Sequence, residues 1–420
     1  MTETSSAQLA TTFTFVNNMQ KPIHRWFRFP AGFSAKWIKE MTLQHKKSEN
    51  FTLFDPFAGS GTTVLVGEEC FANAVGIEAH PFLARIAQAK LCWRADIDGF
   101  KKFALDVLDN AERLASDELK YPKLINKCYS QESLRGLDKL KRAWISSNDD
   151  SKLSTLTWLA LVCILRSTSR AATAPWQYIL PKKTKKKPLS PFEAFRNQVD
   201  RMAWDMKQFQ HLYGESPAGQ IYEDDARTCS KVKTKVDLVL TSPPYTNNYD
   251  YADATRLEMT FFGEVNRWAD LQAKVRSHLI RSCAQHMTED DILDNLLDDK
   301  NLDAIIKDLT EACDKLSKVR EQHGGKKRYH LMVAAYFSDL ANVWIALRKV
   351  CKEGSKVCFV VGDSAPYGVY IPVHKWLGEL AVSAGFKSYA FEKNRDRNVR
   401  WNLDRKHKVP LQEVSLWVDG

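Results

Sequence analysis

Short apolar runs alternate with amphipathic stretches near the start of the chain. Residues 51–57 and 72–78 are continuous enough in apolar character, and short enough, to form buried strands. Residues 62–71 and 80–91 have the spacing of helices with one apolar face. This strand–helix–strand–helix order predicts a parallel sheet.

The pattern changes over residues 96–213, which are rich in Lys, Trp and Leu and lack a run of strand signals. We therefore expect a helical insertion there and not further sheet. Strand signals resume at Ile221 and in the apolar run 236–240. A second helical insertion, acidic at its beginning, is expected over about 284–327.

The last part of the chain again alternates between helices and strands. Gly354 and Gly385 follow two predicted helices as their stop signals. The predicted helices span 336–350 and 374–384, and the predicted strands span 356–362, 386–391 and 413–418. The chain therefore divides into a flexible lead (1–23), a first half of the sheet (24–94), a helical insertion (95–215) and a second half (216–420).

Composition narrows the class of protein. The chain has 420 residues, of which 44% are hydrophobic, so it can form one large core or two domains. Its net charge of +10 favours a polyanionic partner about as well as it fits an ordinary basic protein. No run reaches the roughly 18 apolar residues of a membrane span. Nine cysteines lack any C-x-x-C pair, so we expect no zinc site, no disulfide framework and a reducing cytoplasm.

The first candidate for chemistry is Asp55-Pro-Phe-Ala-Gly-Ser-Gly-Thr-Thr63, which follows the first strand. Glycines there let the backbone approach a ligand, and the next helix offers unpaired N–H groups. A triphosphate-binding loop would need a lysine after its last glycine, where this chain has Thr62. The alternative is a tight turn between strand and helix.

Glu78 stands at the end of the second predicted strand. An acid at that place can accept hydrogen bonds from ribose hydroxyls, as in dinucleotide-binding folds. Alone it is equally consistent with an acid near the start of the next helix. Together with the glycine loop, it favours a ligand of the adenosine type.

The second candidate is Thr241-Ser242-Pro243-Pro244-Tyr245, directly after the strand 236–240. Consecutive prolines cannot continue the pairing of a strand and so build a rigid, extended corner. The Ser242 hydroxyl and the proline carbonyls can point at a ligand, and Tyr245 offers a flat ring for stacking. The alternative is a rigid turn without chemistry.

Together these motifs resemble the amino-methyltransferase family of DNA methylases. DPFAGSGTT resembles that family's S-adenosylmethionine-binding motif, and TSPPY resembles its catalytic [DNS]-P-P-[YFW] motif. FPAGFS (29–34) is similar to the segment that precedes the cofactor motif and also lines the cofactor. Asp225-Ala226-Arg227 resembles the acidic segment that reaches the cofactor's adenine. The tracts 249–259 and 360–364 are similar to the cytosine-N4 branch.

The resemblance implies a doubly wound α/β fold: a Rossmann-like, largely parallel, seven-stranded methyltransferase sheet with helical insertions. Residues 24–94 would form the S-adenosylmethionine-binding half and 216–420 the catalytic half. It also implies transfer of a methyl group to N4 of cytosine in duplex DNA, by base flipping. The setting would be a restriction-modification or epigenetic role in a prokaryotic cytoplasm, at the nucleoid, with a cognate restriction endonuclease as a possible partner. The chain should need neither a metal nor a membrane.

Serine at position 242 favours cytosine-N4. Adenine-N6 methylation, methylation of a guanine amino group in RNA, and a binding protein that has lost catalysis remain the alternatives. Methylation at cytosine C5 needs a cysteine nucleophile beside the proline, where this chain has Ser242.

The predicted site residues form three groups. The catalytic group is Ser242, Pro243, Pro244 and Tyr245. The cofactor-binding group is Phe33, Asp55, Phe57, Ala58, Gly59, Gly61, Thr62, Thr63, Glu78 and Asp225. The DNA-binding group combines a lysine-rich loop with a C-terminal arginine cluster: Lys182, Lys183, Lys185, Lys186, Lys187, Arg395, Arg397, Arg400 and Arg405. The larger insertion is a candidate for DNA recognition.

Overall fold

A seven-stranded sheet forms the centre of the computed structural model, which describes residues 15–174, 177–184, 187–397 and 410–420. The strands of the chain are β1 Thr52–Asp55, β2 Asn73–Glu78, β3 Ala171–Thr173, β4 Ile179–Thr184, β5 Gln220–Glu223, β6 Val236–Thr241, β7 Cys351–Gly362, β8 Ser388–Asp396 and β9 Gln412–Asp419. The sheet order is β5-β2-β1-β6-β7-β9-β8. Neighbours pair in parallel from β5 to β7, and β9 is antiparallel to both β7 and β8. The predicted largely parallel α/β sheet is thus confirmed.

Helices cover both faces of this sheet and fill the two insertions. They are α1 Ala35–His45, α2 Thr62–Glu69, α3 Pro81–Leu91, α4 Ile97–Arg113, α5 Lys123–Cys128, α6 Gln131–Ser147, α7 Lys152–Ile164, α8 Pro191–Tyr213, α9 Tyr251–Ala254, α10 Arg256–Phe262, α11 Asp270–Lys274, α12 Leu293–Leu297, α13 Ile306–Gln322, α14 Tyr329–Val350 and α15 Val373–Ser383. Short 3₁₀ turns join several of them.

The continuous apolar character of the central strands follows from burial on both faces. Successive side chains of a strand point to opposite faces, and Leu53 and Leu238 pack in one core with helices α1 and α2. Their neighbours Phe54 and Val239 pack in another core with α14 and α15. Because both faces are covered, apolar residues occupy consecutive positions in these strands and not only alternate ones.

The larger insertion, α4 to α8, has a core of its own that continues into α3 and the segment around Trp26. Asp205 on α8 is fully buried in this region. Its carboxylate accepts hydrogen bonds from the Arg25 guanidinium (2.9 Å to Nε), the Trp26 indole (2.9 Å) and the Ile23 amide (3.3 Å). The insertion is thereby fixed to the segment that precedes the sheet.

The expectation of a purely helical insertion was wrong in one place. Strands β3 and β4 form a separate two-stranded antiparallel sheet within it. Lys182 and Lys183 therefore lie on a strand and not in a loop. From Lys182 onward β4 is exposed, so it lacks the apolar alternation that would have indicated a strand. Lys185 and Lys186 lie outside the described residues.

Helix α14 begins at Tyr329, before the predicted residue 336, and Gly354 is not its stop signal. Most of the helix is buried all round, so its first two turns show no polar face to mark a helix. Among the described residues, this helix is long and apolar enough to cross a membrane. However, 89% of its most apolar stretch of 18 residues is buried inside the fold. Gly354 lies within β7 at φ 75°, where the pairing register with β6 shifts.

The segment 15–23, assigned above to a flexible lead, packs against the fold. Asn18 is buried, and its side chain donates to the Phe33 carbonyl (2.9 Å) and accepts from the Ala35 amide (2.9 Å). Ile23 has no exposed surface. Both residues anchor the chain just before helix α1, so the predicted lead includes part of the folded structure.

Candidate active site

The two sequence motifs meet where the strand order of the sheet reverses. Strand β1 pairs with β2 on one side and with β6 on the other. Because all three strands run in parallel, the loops that follow β1 and β6 leave the same edge of the sheet on either side of a crevice. Ligands of open α/β sheets bind at such a switch point. The fold therefore brings DPFAGSGTT and TSPPY together.

The glycine loop depends on the lack of a side chain at two positions. Gly59 and Gly61 have φ angles of 53° and 86°, a region that side chains disfavour. A Cβ on Gly59 would also lie 2.9 Å from the Phe29 ring. The Gly59 amide donates to Glu78 Oε2 at 2.7 Å, which fixes the loop to the end of β2.

The Asp55 side chain links the two motifs through hydrogen bonds. Its carboxylate accepts hydrogen bonds from the Thr241 hydroxyl (2.6 Å), the Thr63 hydroxyl (2.5 Å) and the Phe57 amide (2.9 Å). Burial raises the pKa of Asp55 to about 6 despite these three donors. The side chain thus connects β1, β6 and α2, and it supports the loops without lining a cavity.

A first cavity of about 620 Å³ opens above the glycine loop. Its lining combines apolar rings with two acids, Glu78 and Asp225. The lining residues are Phe29, Ala31, Pro56, Phe57, Gly59, Glu78, Ala79, His80, Leu83, Asp225, Ala226, Ser242, Pro244, Tyr251, His278, Leu279 and Ile280.

The two acids of the first cavity are held differently. Glu78 accepts from the Gly59 and His80 amides (2.7 and 2.8 Å), and burial raises its pKa to about 7. Asp225 is one-third exposed and is paired with the Arg227 guanidinium at 2.6 Å. His80 is fully buried, and burial lowers its pKa to about 3, so it adds no positive charge to the cavity.

A second cavity of about 980 Å³ lies on the other side of Ser242. Three tyrosines and two arginines give it aromatic walls and a basic end. The lining residues are Val16, Pro30, Ala31, Gly32, Phe33, Ser242, Tyr245, Asn247, Tyr249, Tyr251, Val360, Arg395, Arg397 and Glu413. Ala31, Ser242 and Tyr251 belong to both cavities, so they form the partition between them.

The Ser242 hydroxyl donates its single hydrogen to the Val360 carbonyl at 3.1 Å. A hydroxyl whose hydrogen is engaged in this way acts toward other groups as an acceptor. Beside it, the Tyr245 hydroxyl and Arg395 both donate to Glu413 Oε2, at 3.3 and 2.8 Å. These bonds hold the Tyr245 ring as one wall of the second cavity.

The predicted residues take different places around these cavities. Phe57, Gly59, Glu78 and Asp225 line the first cavity, and Phe33, Tyr245, Arg395 and Arg397 line the second. Ser242 lines both, and Pro244 lines the first. The remaining members of the two motifs do not line a cavity and support the loops from behind: Asp55, Ala58, Gly61, Thr62, Thr63 and Pro243.

The predicted DNA-binding residues also divide. Lys182, Lys183 and Lys187 are exposed. The turn of their hairpin contacts the segment after TSPPY: the Asp250 amide donates to the Tyr178 hydroxyl at 2.7 Å, and the Tyr178 and Tyr249 rings stack at 5.3 Å. The hairpin is thus anchored at the second cavity. Arg400 and Arg405 lie outside the described residues.

Sequence reasoning missed several lining residues. Phe29 packs against the glycine loop, and Tyr251 sits in the partition. Both lie in segments that resemble the family, FPAGFS and 249–259, but neither was among the predicted site residues. Their aromatic character within FPAGFS and the 249–259 tract was the available signal. Over the residues that the structure describes, three or more His, Cys, Asp or Glu side chains do not gather into a metal-binding group.

The sheet, the glycine loop and the prolines at its switch point define a Rossmann-like methyltransferase fold. Comparison with known families agrees: residues 4–89 match the model of a DNA methylase family. The type II methyltransferase M.BsoBI of Geobacillus stearothermophilus is 24% identical over 99% of this chain and 89% of its own length. M.AvaI of a Nostoc species is 24% identical over 89% of this chain and 81% of its own. These matches confirm the resemblance to the amino-methyltransferase family of DNA methylases.

Proposed function

We propose that the protein is a site-specific DNA methyltransferase that transfers a methyl group from S-adenosylmethionine to N4 of cytosine. The observation that carries the proposal is the position of Ser242 in the partition between two cavities. A methyl donor on one side and an amino group on the other would meet at this residue. Positioning of this kind supplies much of the acceleration in a two-substrate reaction.

The first cavity has the chemistry that S-adenosylmethionine requires. Glu78 can accept from ribose hydroxyls, and Asp225 stands where the family's acidic segment reaches the adenine. The absence of a side chain at Gly59 lets Phe29 pack closely against the loop, and both residues line this cavity. When bound, the cofactor supplies an electrophilic methyl group on a sulfonium.

The second cavity fits a base that has been flipped out of the duplex. An exocyclic amino nitrogen is a weak nucleophile because its lone pair is delocalised into the ring. Ser242 Oγ, which lines this cavity, would accept a hydrogen bond from an amino hydrogen and so localise that lone pair. The Pro243 carbonyl, predicted as a second acceptor, belongs to a residue that does not line the cavity. The Tyr245 ring would stack on the base and offset part of the cost of unstacking, which is a few kcal/mol. Fixed acceptor dipoles at Ser242 would also stabilise the positive charge that develops on nitrogen.

The relatives and the net charge support DNA as the substrate and restriction-modification as the biological role. Both relatives named above are type II methyltransferases, which supports a restriction-modification role and a cognate endonuclease. The net charge of +10 and the exposed lysines of β4 suit the phosphates of duplex DNA. Serine at position 242 favours cytosine over adenine as the target.

The test is nucleoside mass spectrometry of DNA from a methylation-free bacterial host that expresses the protein. N4-methylcytosine is the expected product. N6-methyladenine would keep the mechanism and overturn the inference from Ser242. Neither base in DNA would overturn the proposal and direct the search to RNA nucleosides.

A paired variant separates the two motifs. Ser242→Ala combined with Tyr245→Ala should abolish the modified base, while S-adenosylmethionine binding, measured by calorimetry, stays within a fewfold of the unmodified protein. The reason is that Tyr245 lines only the second cavity and Ser242 contributes only part of the first. A loss of cofactor binding would contradict this division of roles.

A further inference from the structure

A third cavity of about 730 Å³ adjoins the second one. Arg397 and Asn247 line both, so they separate the two spaces. The proposed function leaves this third cavity unused. Its lining contains polar side chains that can donate to an anion, among them Thr246 and Asn248.

The Thr246 hydroxyl is a buried polar group that could bind a ligand in the third cavity. The residue is 1% exposed and lines the third cavity, and its hydroxyl oxygen has no hydrogen-bond partner in the described part of the chain. Its carbonyl is engaged by the Ser364 hydroxyl, which fixes the backbone at this point. Buried hydroxyl groups are normally paired, so the Thr246 hydroxyl is an unused hydrogen-bonding group beside the cavity.

The Arg397 guanidinium is a positive charge whose position is fixed by its neighbours. Its Nη1 donates to the Asp363 carbonyl at 2.6 Å, and its guanidinium lies 5.2 Å from the centre of the Tyr245 ring. Gly362 makes room for it, because a Cβ at that position would overlap the guanidinium. A guanidinium has five N–H donors, so the bond to Asp363 leaves capacity for a ligand.

The same wall also holds an acidic side chain, whose two carboxylate oxygens are both engaged by other side chains. Asp363 is 1% exposed, and its carboxylate accepts from the Tyr370 hydroxyl (2.9 Å) and from His374 Nδ1 (2.8 Å).

We propose that the third cavity binds a backbone phosphate of the flipped nucleotide, with Arg397 as the cation and the Thr246 hydroxyl as a donor. This inference rests on the proposed function. A base in the second cavity is joined to its phosphates through a single sugar, so a phosphate must lie close to the partition that Arg397 forms. Phosphate oxygens are the preferred partners of guanidinium and hydroxyl donors at nucleic-acid interfaces.

The experiment compares two small probes that differ in their phosphates: 2′-deoxycytidine and 2′-deoxycytidine 3′,5′-bisphosphate. Their dissociation constants are measured by NMR titration of the full chain, saturated with S-adenosylhomocysteine. We expect the bisphosphate to bind about tenfold more tightly, as for one added hydrogen-bonded charge. Thr246→Val and Arg397→Gln should each bring the ratio of the two constants close to one.

Thr246→Ser is the matched control, because it keeps the hydroxyl and should keep the ratio. Using a ratio removes general effects on folding or on the base pocket. The proposal is overturned if the phosphates add no affinity to the unmodified protein, or if the valine and glutamine variants keep the full ratio. Nucleoside mass spectrometry reports methyl transfer separately, so the proposed function and the phosphate site can fail independently.

Discussion

Glu78 should make the ligand-free protein less stable as the pH rises. The carboxyl is buried, and burial raises its pKa from 4.5 to about 7. The folded state therefore holds the proton more tightly than the unfolded chain. The stabilisation is fully present below pH 4.5, and it is lost as the pH rises through 7. A change from 4.5 to about 7 corresponds to about 3 kcal/mol of unfolding free energy.

Glu78→Gln removes this titration and keeps the shape of the side chain. The free energy of unfolding of both proteins would be measured by urea denaturation between pH 4.5 and 8, without cofactor. A glutamine has only one acceptor oxygen, so its NH₂ group must face one of the two amide N–H groups, of Gly59 or of His80. This unfavourable contact changes the free energy of unfolding by an amount that does not vary with pH. The difference between wild type and variant should fall by about 3 kcal/mol across this range.

Asp55 has a pKa that burial also raises, to about 6, and its negative charge adds to the rise in the Glu78 pKa, so their interaction is part of the measured difference. Glu40→Gln is the control for removing one carboxylate, because this side chain is half exposed at the surface. If the difference for Glu78→Gln is flat with pH, the Glu78 carboxyl ionises in the folded protein as it does in water. The structural reasoning about its burial would then be wrong.

Three further variants test other parts of the fold and site. Gly59→Ala places a side chain at φ 53° against Phe29, and it should cost about 1–3 kcal/mol in urea denaturation and weaken S-adenosylmethionine binding in calorimetry; unchanged binding would argue against the loop as a ligand site. Asp205→Asn removes the charge that three donors share, and it should lower the free energy of unfolding by about 3 kcal/mol; a loss below 1 kcal/mol would show that this anchor is unimportant. Lys182→Gln with Lys183→Gln should reduce the slope of log affinity for DNA against log salt by about 2, measured by anisotropy, and an unchanged slope would place phosphate contacts elsewhere.

Much of the sheet could be predicted because its signals are local. Strands β1, β2 and β6 are short runs with mostly apolar residues, and β1 and β6 each end in a motif with unusual backbone demands. Gly61 with its φ of 86° and the two prolines after Ser242 impose these demands whatever the tertiary context. The parallel order of the strands then brings both motifs to one edge of the sheet.

Other features depend on contacts that the sequence does not display. Strand β4 is exposed beyond Leu180, so its composition resembles a charged loop. Phe29 and Phe33 belong to one tract with a similar composition, yet the structure directs Phe29 to the first cavity and Phe33 to the second. Tyr251 becomes part of the partition only because helix α9 follows the proline corner closely.

The positions of the lining residues along the chain also determine which of the two cavities can form first during synthesis. In chain order, the lining of the first cavity ends at Ile280. The second cavity requires Arg395, Arg397 and Glu413, which are made last. A nascent chain therefore contains every residue that would touch the methyl donor well before it contains those that would receive the base. The ability to modify DNA must wait until β9 has left the ribosome and paired with both β7 and β8.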